Sequence, residues 1–147
     1  MGEPAARPWM LCCDGGSRGN PGPGAAGYVL DDPSGREVEA RGEFLGTVTN
    51  NVAEYRALIE GLRAARRHGA QPLIVSMDSE LVVRQMTGEY RVKNAGLKPL
   101  HAEAQAAAAE LPKLRFAAVP RELNERADGL VNEALDRALE GNSESPR

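Results

Sequence analysis

The chain lacks any apolar run near the roughly 18 residues that a membrane-spanning helix requires. Its first residues, Met1-Gly2-Glu3-Pro4, hold no basic-then-apolar leader, which argues against secretion. Cysteine is scarce: Cys12 and Cys13 are the only two, side by side in one apolar stretch. Successive strand side chains point to opposite faces, so this pair cannot staple the fold. The simplest expectation is a reducing, cytoplasmic setting in which both act as small core hydrophobes. Positive charge is not in excess either. With 18 Lys and Arg against 21 Asp and Glu, the net charge is −3. That is a poor global signature for a nucleic-acid binder, whose affinity draws on phosphate neutralisation. It leaves a local basic groove or bound metal ions as the sources of positive charge. No internal repeat is visible. What remains is one domain over 1–147, with a real core and loose tails at about 1–8 and 142–147.

Against this background one stretch stands out, Trp9-Met10-Leu11-Cys12-Cys13-Asp14, followed by the glycine- and proline-rich residues 15–24. An unbroken apolar run reads as a strand buried on both faces, hence central in a sheet. A lone carboxylate is expensive to bury unless it is paired or holds a metal. The pattern recurs at Leu73-Ile74-Val75-Ser76-Met77-Asp78. Between these runs, 25–31 and 36–45 read as strands joined by the turn Asp31-Asp32-Pro33-Ser34-Gly35. A helix with Asn51 as its cap and an apolar series from Val52 to Ala65 follows, stopped by Gly69. Beyond the strand at 73–78 come a short helix from Ser79 to about Met86, with Leu81, Val82 and Met86 on its inner side, and a connection over 87–97. An alanine-rich helix over about 99–111, a fifth strand from Leu114 to Val119 and a last helix ended by Gly141 complete the order. A meander followed by helix–strand–helix–helix–strand–helix predicts an α/β fold, a mixed sheet packed by helices. A right-handed crossover would set the fourth strand parallel to the first. Asp14 and Asp78 would then stand together outside the carboxyl ends of adjacent strands, where such sheets bind ligands.

Each acid has a structural alternative. Asp14 could open a turn, and Asp78 could cap the short helix. Glu54, three residues after Asn51, could complete a capping box, and Asp128 could answer the dipole of the last helix. Together, four carboxylates at element ends can surround a pair of hard cations that demand oxygen ligands. Two such ions serve in-line phosphoryl transfer.

Four segments, Asp14-Gly15-Gly16-Ser17-Arg18-Gly19-Asn20-Pro21-Gly22, Thr49-Asn50-Asn51-Val52-Ala53-Glu54, Met77-Asp78-Ser79 and Asn124-Glu125-Arg126-Ala127-Asp128, resemble ribonuclease H of type 1. The resemblance covers roughly 9–140. It implies a five-stranded mixed sheet in the order 3-2-1-4-5, with helices on both faces. It implies endonucleolytic hydrolysis of the RNA strand of RNA–DNA hybrids, leaving 5′-phosphate and 3′-hydroxyl ends. It also implies two Mg2+ ions, with Mn2+ as a substitute, held by Asp14, Glu54, Asp78 and Asp128. Gly15, Gly16, Asn20, Asn50 and Asn51 would lie along the minor groove, where 2′-hydroxyls distinguish RNA from DNA. Amide side chains both donate and accept, which suits them to a hydroxyl. Thr49 and Arg18 are further candidates for phosphate contacts.

Two departures matter. Many relatives carry a histidine in the loop before the last helix; here that loop is Pro120-Arg121-Glu122-Leu123-Asn124, and Arg121 is the candidate stand-in beside the scissile phosphate. The basic handle of some relatives is also missing, with Arg91, Lys93 and Lys98 the cations in its place. Fewer phosphate contacts predict weaker binding and a shallower salt slope. Resemblance to forms without the handle extends the candidate partners to double-stranded RNA. The rival readings are another nuclease of this fold, such as a junction resolvase, and a non-catalytic hybrid-binding module. A monomer is expected.

Overall fold

A computed structural model describes residues 7–143. Five strands form one sheet: β1 (Trp9–Ser17), β2 (Gly22–Asp31), β3 (Glu37–Val48), β4 (Leu73–Met77) and β5 (Leu114–Ala118). The order is β3-β2-β1-β4-β5, as the resemblance implies. β1 pairs antiparallel with β2 and parallel with β4, and β5 continues the parallel half. The glycine-rich region is more strand than loop. β1 runs on through Gly15 and Gly16, paired with Ala26 and Ala25, while Gly22 of β2 already pairs with Val48. Backbone pairing, which side-chain pattern does not display, carries these strands past their expected ends.

The helices are α1 (Asn50–Arg67), α2 (Glu80–Met86), α3 (Lys98–Ala109) and α4 (Glu125–Ser143). The apolar spacing of α1 buries Tyr55, Leu58, Ile59, Leu62 and Ala65 against Leu11, Cys13, Tyr28 and Leu30. Val82, Met86 and Ala104 bring α2 and α3 into this same cluster. On the opposite face α4 sets Ala127, Leu130, Val131 and Leu135 against Ala25 and Val29, with Cys12 beside them. Cys12 and Cys13 thus serve opposite faces, both as free thiols. No helix among the described residues is long and apolar enough to cross a membrane.

Four expectations are corrected. The cap of α1 is Thr49, whose Oγ1 accepts from the Val52 amide at 3.2 Å, so the helix starts before Asn51. Glu54 therefore lies in the second turn and completes no capping box. Leu81 does not turn inward; it is 37% exposed. Gly141 does not stop α4, because an interior glycine costs only about 1 kcal/mol relative to alanine. Asn142 and Ser143 consequently belong to α4. The loose tails expected at either end otherwise fall, at 1–6 and 144–147, outside the described residues.

Candidate active site

Parallel pairing of Cys13 with Met77 makes Asp14 and Asp78 the next residues at like ends of the two central strands. Asp14 is 8% exposed, and its carboxyl makes side-chain hydrogen bonds with both Asp78 and Asp128. Glu54 comes from α1, and Gly15 is what allows it to approach. A Cβ on Gly15 would stand 2.3 Å from the Ala53 carbonyl carbon and 2.4 Å from the Glu54 nitrogen. Bare backbone at Gly15 thus lets α1 settle onto the strand beside Asp14. Gly42 does the same for α4: its missing Cβ would lie 2.5 Å from the Leu130 carbonyl oxygen. That contact seats the second turn of α4 against the sheet, while a Cβ on Gly27 would lie 2.9 Å from the Ala127 carbonyl oxygen, in the first turn beside Asp128. The Glu54 carboxylate hydrogen-bonds the side chain of Ser79 and feels the charge of Asp78. The four acids form a chain of neighbours, Asp128–Asp14–Asp78–Glu54, across three layers of the fold.

Burial and crowding have a chemical consequence. Burial first, then the negative charges of Asp78 and Asp128, push the Asp14 carboxyl from 3.8 up to about 8. Burial likewise lifts Glu54 from 4.5 to about 7, with Asp78 adding to the rise and the Ser79 hydrogen bond opposing it. Carboxyls in mutual hydrogen-bond contact must share a proton or receive a cation. The nearest cation is Arg121, whose Nε lies 3.6 Å from Asp78 Oδ2 while the rest of its side chain is 82% exposed. As they stand, no three His, Cys, Asp or Glu side chains among the described residues are grouped to hold a metal ion. The acids are instead linked in pairs.

All four acids line one cleft of about 540 Å³, together with Gly15, Gly16, Asn50, Asn51, Arg18 and Arg121. Asn20 and Thr49 do not line it. They face an adjoining hollow of about 360 Å³ with Asn51, Asn94 and Leu97, so Asn51 stands between the two. Part of the asparagine chemistry is spent internally. Asn50 Oδ1 accepts from the Ser17 amide at 2.8 Å, and Asn20 Oδ1 accepts from the Asn50 amide at 3.1 Å. These bonds fix the β1–β2 connection against the start of α1. Arg18 is engaged too, 2.7 Å from Asp136 of α4. The two histidines lie elsewhere, His68 on Glu39 and His101 on the Gln85 carbonyl.

Sequence reasoning missed three residues. Ser79 serves Glu54 as well as capping α2, where its Oγ accepts from Val82. Asn132 lies one turn beyond Asp128 and donates to its main-chain oxygen at 3.2 Å and to its Oδ2 at 3.4 Å. Its spacing of four was a usable signal, masked because asparagine on a helix reads as solvent-facing. The third is Asn124, buried at 2% exposure under the site.

An acidic cleft at the carboxyl ends of the central strands, in a sheet ordered 3-2-1-4-5 with helices on both faces, defines the ribonuclease H-like fold. Comparison with known proteins agrees. Residues 12–134 match the family described as reverse transcriptase-like. The chain is 46% identical over 132 residues to a bifunctional protein of Mycobacterium tuberculosis, covering 89% of this chain and 36% of that protein. It is 43% identical to ribonuclease HI of Halobacterium salinarum, over 85% of this chain and 63% of the relative. It therefore spans only about a third of the mycobacterial relative. Among solved structures, LC11-RNase H1, isolated from compost and crystallised with an RNA/DNA hybrid, superposes with a TM-score of 0.85. That pair is 45% identical over 89% of this chain and 99% of the other. The chain belongs to the type 1 ribonuclease H family.

Proposed function

We propose that this chain is a metal-dependent endoribonuclease that hydrolyses the RNA strand of RNA–DNA hybrids, leaving 5′-phosphate and 3′-hydroxyl ends. The observation that carries the reading is the crowding of Asp14 by Asp78 and Asp128, with Glu54 beside Asp78, in a cleft floored by glycine backbone. The donor set fits hard divalent cations. It is all oxygen, it is partly buried, and its mutual repulsion outweighs the exposed Arg121 beside Asp78. Asp14, Glu54, Asp78 and Asp128 would hold two Mg2+ ions, or Mn2+ in their place. Bound there, the cations supply charge neutralisation at the phosphate and a water of lowered pKa.

The chain's own residues do the rest. Asp14 and Glu54, both poised near neutral pH, give up protons on ligation and set the pH at which the centre forms. The Gly15 and Gly16 backbone admits a nucleic-acid strand closely, and the Asn50 and Asn51 side chains offer donors and acceptors to 2′-hydroxyls. Asn20 and Thr49 reach the strand from the adjoining hollow. Arg121, exposed and cationic beside Asp78, approaches the scissile phosphate from the segment before α4. Support for the hybrid as substrate comes from LC11-RNase H1, solved with an RNA/DNA hybrid. The missing basic handle keeps double-stranded RNA in the substrate test.

The deciding assay offers hybrid, double-stranded RNA and branched DNA side by side, with and without Mg2+. Mg2+-dependent cutting of the RNA strand of the hybrid supports the proposal. Cutting of branched DNA alone, or tight hybrid binding without cleavage, would reject it.

A further inference from the structure

The sequence motif around Asp128 begins at Asn124, to which none of the chemistry above gives a role. The structure places it at a junction. Asn124 is 2% exposed, and its Nδ2 donates to the Cys13 carbonyl oxygen at 2.9 Å, across 111 residues of chain. That carbonyl belongs to the peptide linking Cys13 to Asp14. The main-chain oxygen of Asn124 accepts from the Asp128 amide at 3.0 Å, opening the first turn of α4. One residue thus bonds to the peptide before one acid and to the amide of another. The side chain of Asn124 is oriented by this bond, because a flipped amide would set oxygen against oxygen. Its Oδ1 is buried and meets no hydrogen-bond partner among the described residues. Such an orphaned acceptor lowers stability, so core packing alone would favour an apolar residue of similar shape.

We propose that Asn124 is a positioning residue for the acidic centre. It ties the carboxyl end of β1 to the first turn of α4 and so fixes Asp14 against Asp128. Small shifts at such points matter, because groups that orient metal ligands typically change metal affinity or activity by about 10–100-fold when removed. The inference rests on the reading of the four acids as metal ligands.

The test compares wild type, Asn124→Ala, Asn124→Ser and a destabilised control, Leu111→Ala, buried in the main core beyond the end of α3 and lining neither the cleft nor the adjoining hollow. Mg2+ and Mn2+ affinity is read by titration calorimetry, melting temperature without added metal, and kcat and KM on a hybrid. Both Asn124 variants are expected to bind metal about 10-fold more weakly or worse and to lose kcat by about 10–100-fold, with KM changed less than threefold. Leu111→Ala should lower the melting temperature while leaving metal affinity within about twofold of wild type. In an Asp128→Asn background, Asn124→Ala should weaken metal binding by less than about threefold, since its effect passes through Asp128. Asn124→Ser guards against a failure of the alanine variant to fold. Wild-type metal affinity and kcat in either folded variant would overturn the proposal, as would equal losses in Leu111→Ala. A wild-type protein that neither binds Mg2+ nor cuts the hybrid would overturn the metal reading together with this one, and that arm separates the two failures.

Discussion

The two ends of α1 handle acid withdrawn from solvent in opposite ways: Asp14 is buried and Glu39 half-buried. At its carboxyl end Glu39 meets the Tyr28 hydroxyl, Arg67 Nη2 at 2.7 Å and His68 Nε2 at 3.0 Å, with Trp9 tilted against the histidine ring at 6.4 Å. Burial raises the Glu39 carboxyl, but Tyr28, His68 and Arg67 outweigh it and hold it below 4.5. At the amino end Asp14 meets other carboxyls, and burial together with them drives it up to about 8. The same chain, over the length of one helix, satisfies one acid completely and starves another. The difference separates an ion network that holds the fold from an acidic centre whose mutual repulsion is left unrelieved. Leaving buried like charges unpaired lowers stability, and such strain collects where chemistry is done.

Breaking the starved end should show the largest effect. Asp14→Asn is expected to lower cleavage of a hybrid in Mg2+ on the order of 10³-fold, with an unchanged circular dichroism spectrum. Next, Arg121→Ala should reduce kcat by about tenfold, read by steady-state kinetics; unchanged kinetics would return Arg121 to an ordinary exposed loop residue.

Stability sharpens the comparison through its pH dependence. Asp14 and Glu54 have folded values above their ordinary 3.8 and 4.5, so between about 4 and 8 the folded chain binds more protons than the unfolded one. Their contribution to stability therefore falls as pH rises through that window. Asp14→Asn should flatten this loss and raise the melting temperature at pH 8, with no divalent metal added, on the order of 3 °C. A lower melting temperature at pH 8 would contradict the repulsion that the structure shows. Glu39 has the opposite sign. Its value is depressed, so its contribution is present above 4.5 and is lost as pH falls through the folded value. Glu39→Gln should cost about 1 kcal/mol at pH 7 in denaturant melts and leave cleavage untouched.

Much of this was legible in the chain itself. Apolar runs ending in Asp14 and Asp78 announced central strands with acids at their tips, because burial on both faces demands unbroken apolar sequence. The spacing from Val52 to Ala65 marked α1, although its cap lay at Thr49 and not Asn51. Cap choice was less legible because several adjacent polar residues can all accept an amide hydrogen bond. The candidate acids were legible as residue types; their pairing was not. Leu81 misled because helical spacing alone does not reveal which helix faces have neighbours.

The sequence alone determined which residues could carry the chemistry and which segments would be strand or helix, since those follow from local pattern and side-chain type. Only the tertiary structure decided that Gly15 lets α1 bring Glu54 into the cleft, that Arg18 is engaged by Asp136, and that Asn124 bonds to the peptide before Asp14. These are contacts between residues about 40 to 120 positions apart, and their distances depend on how closely whole elements pack, which no local pattern encodes.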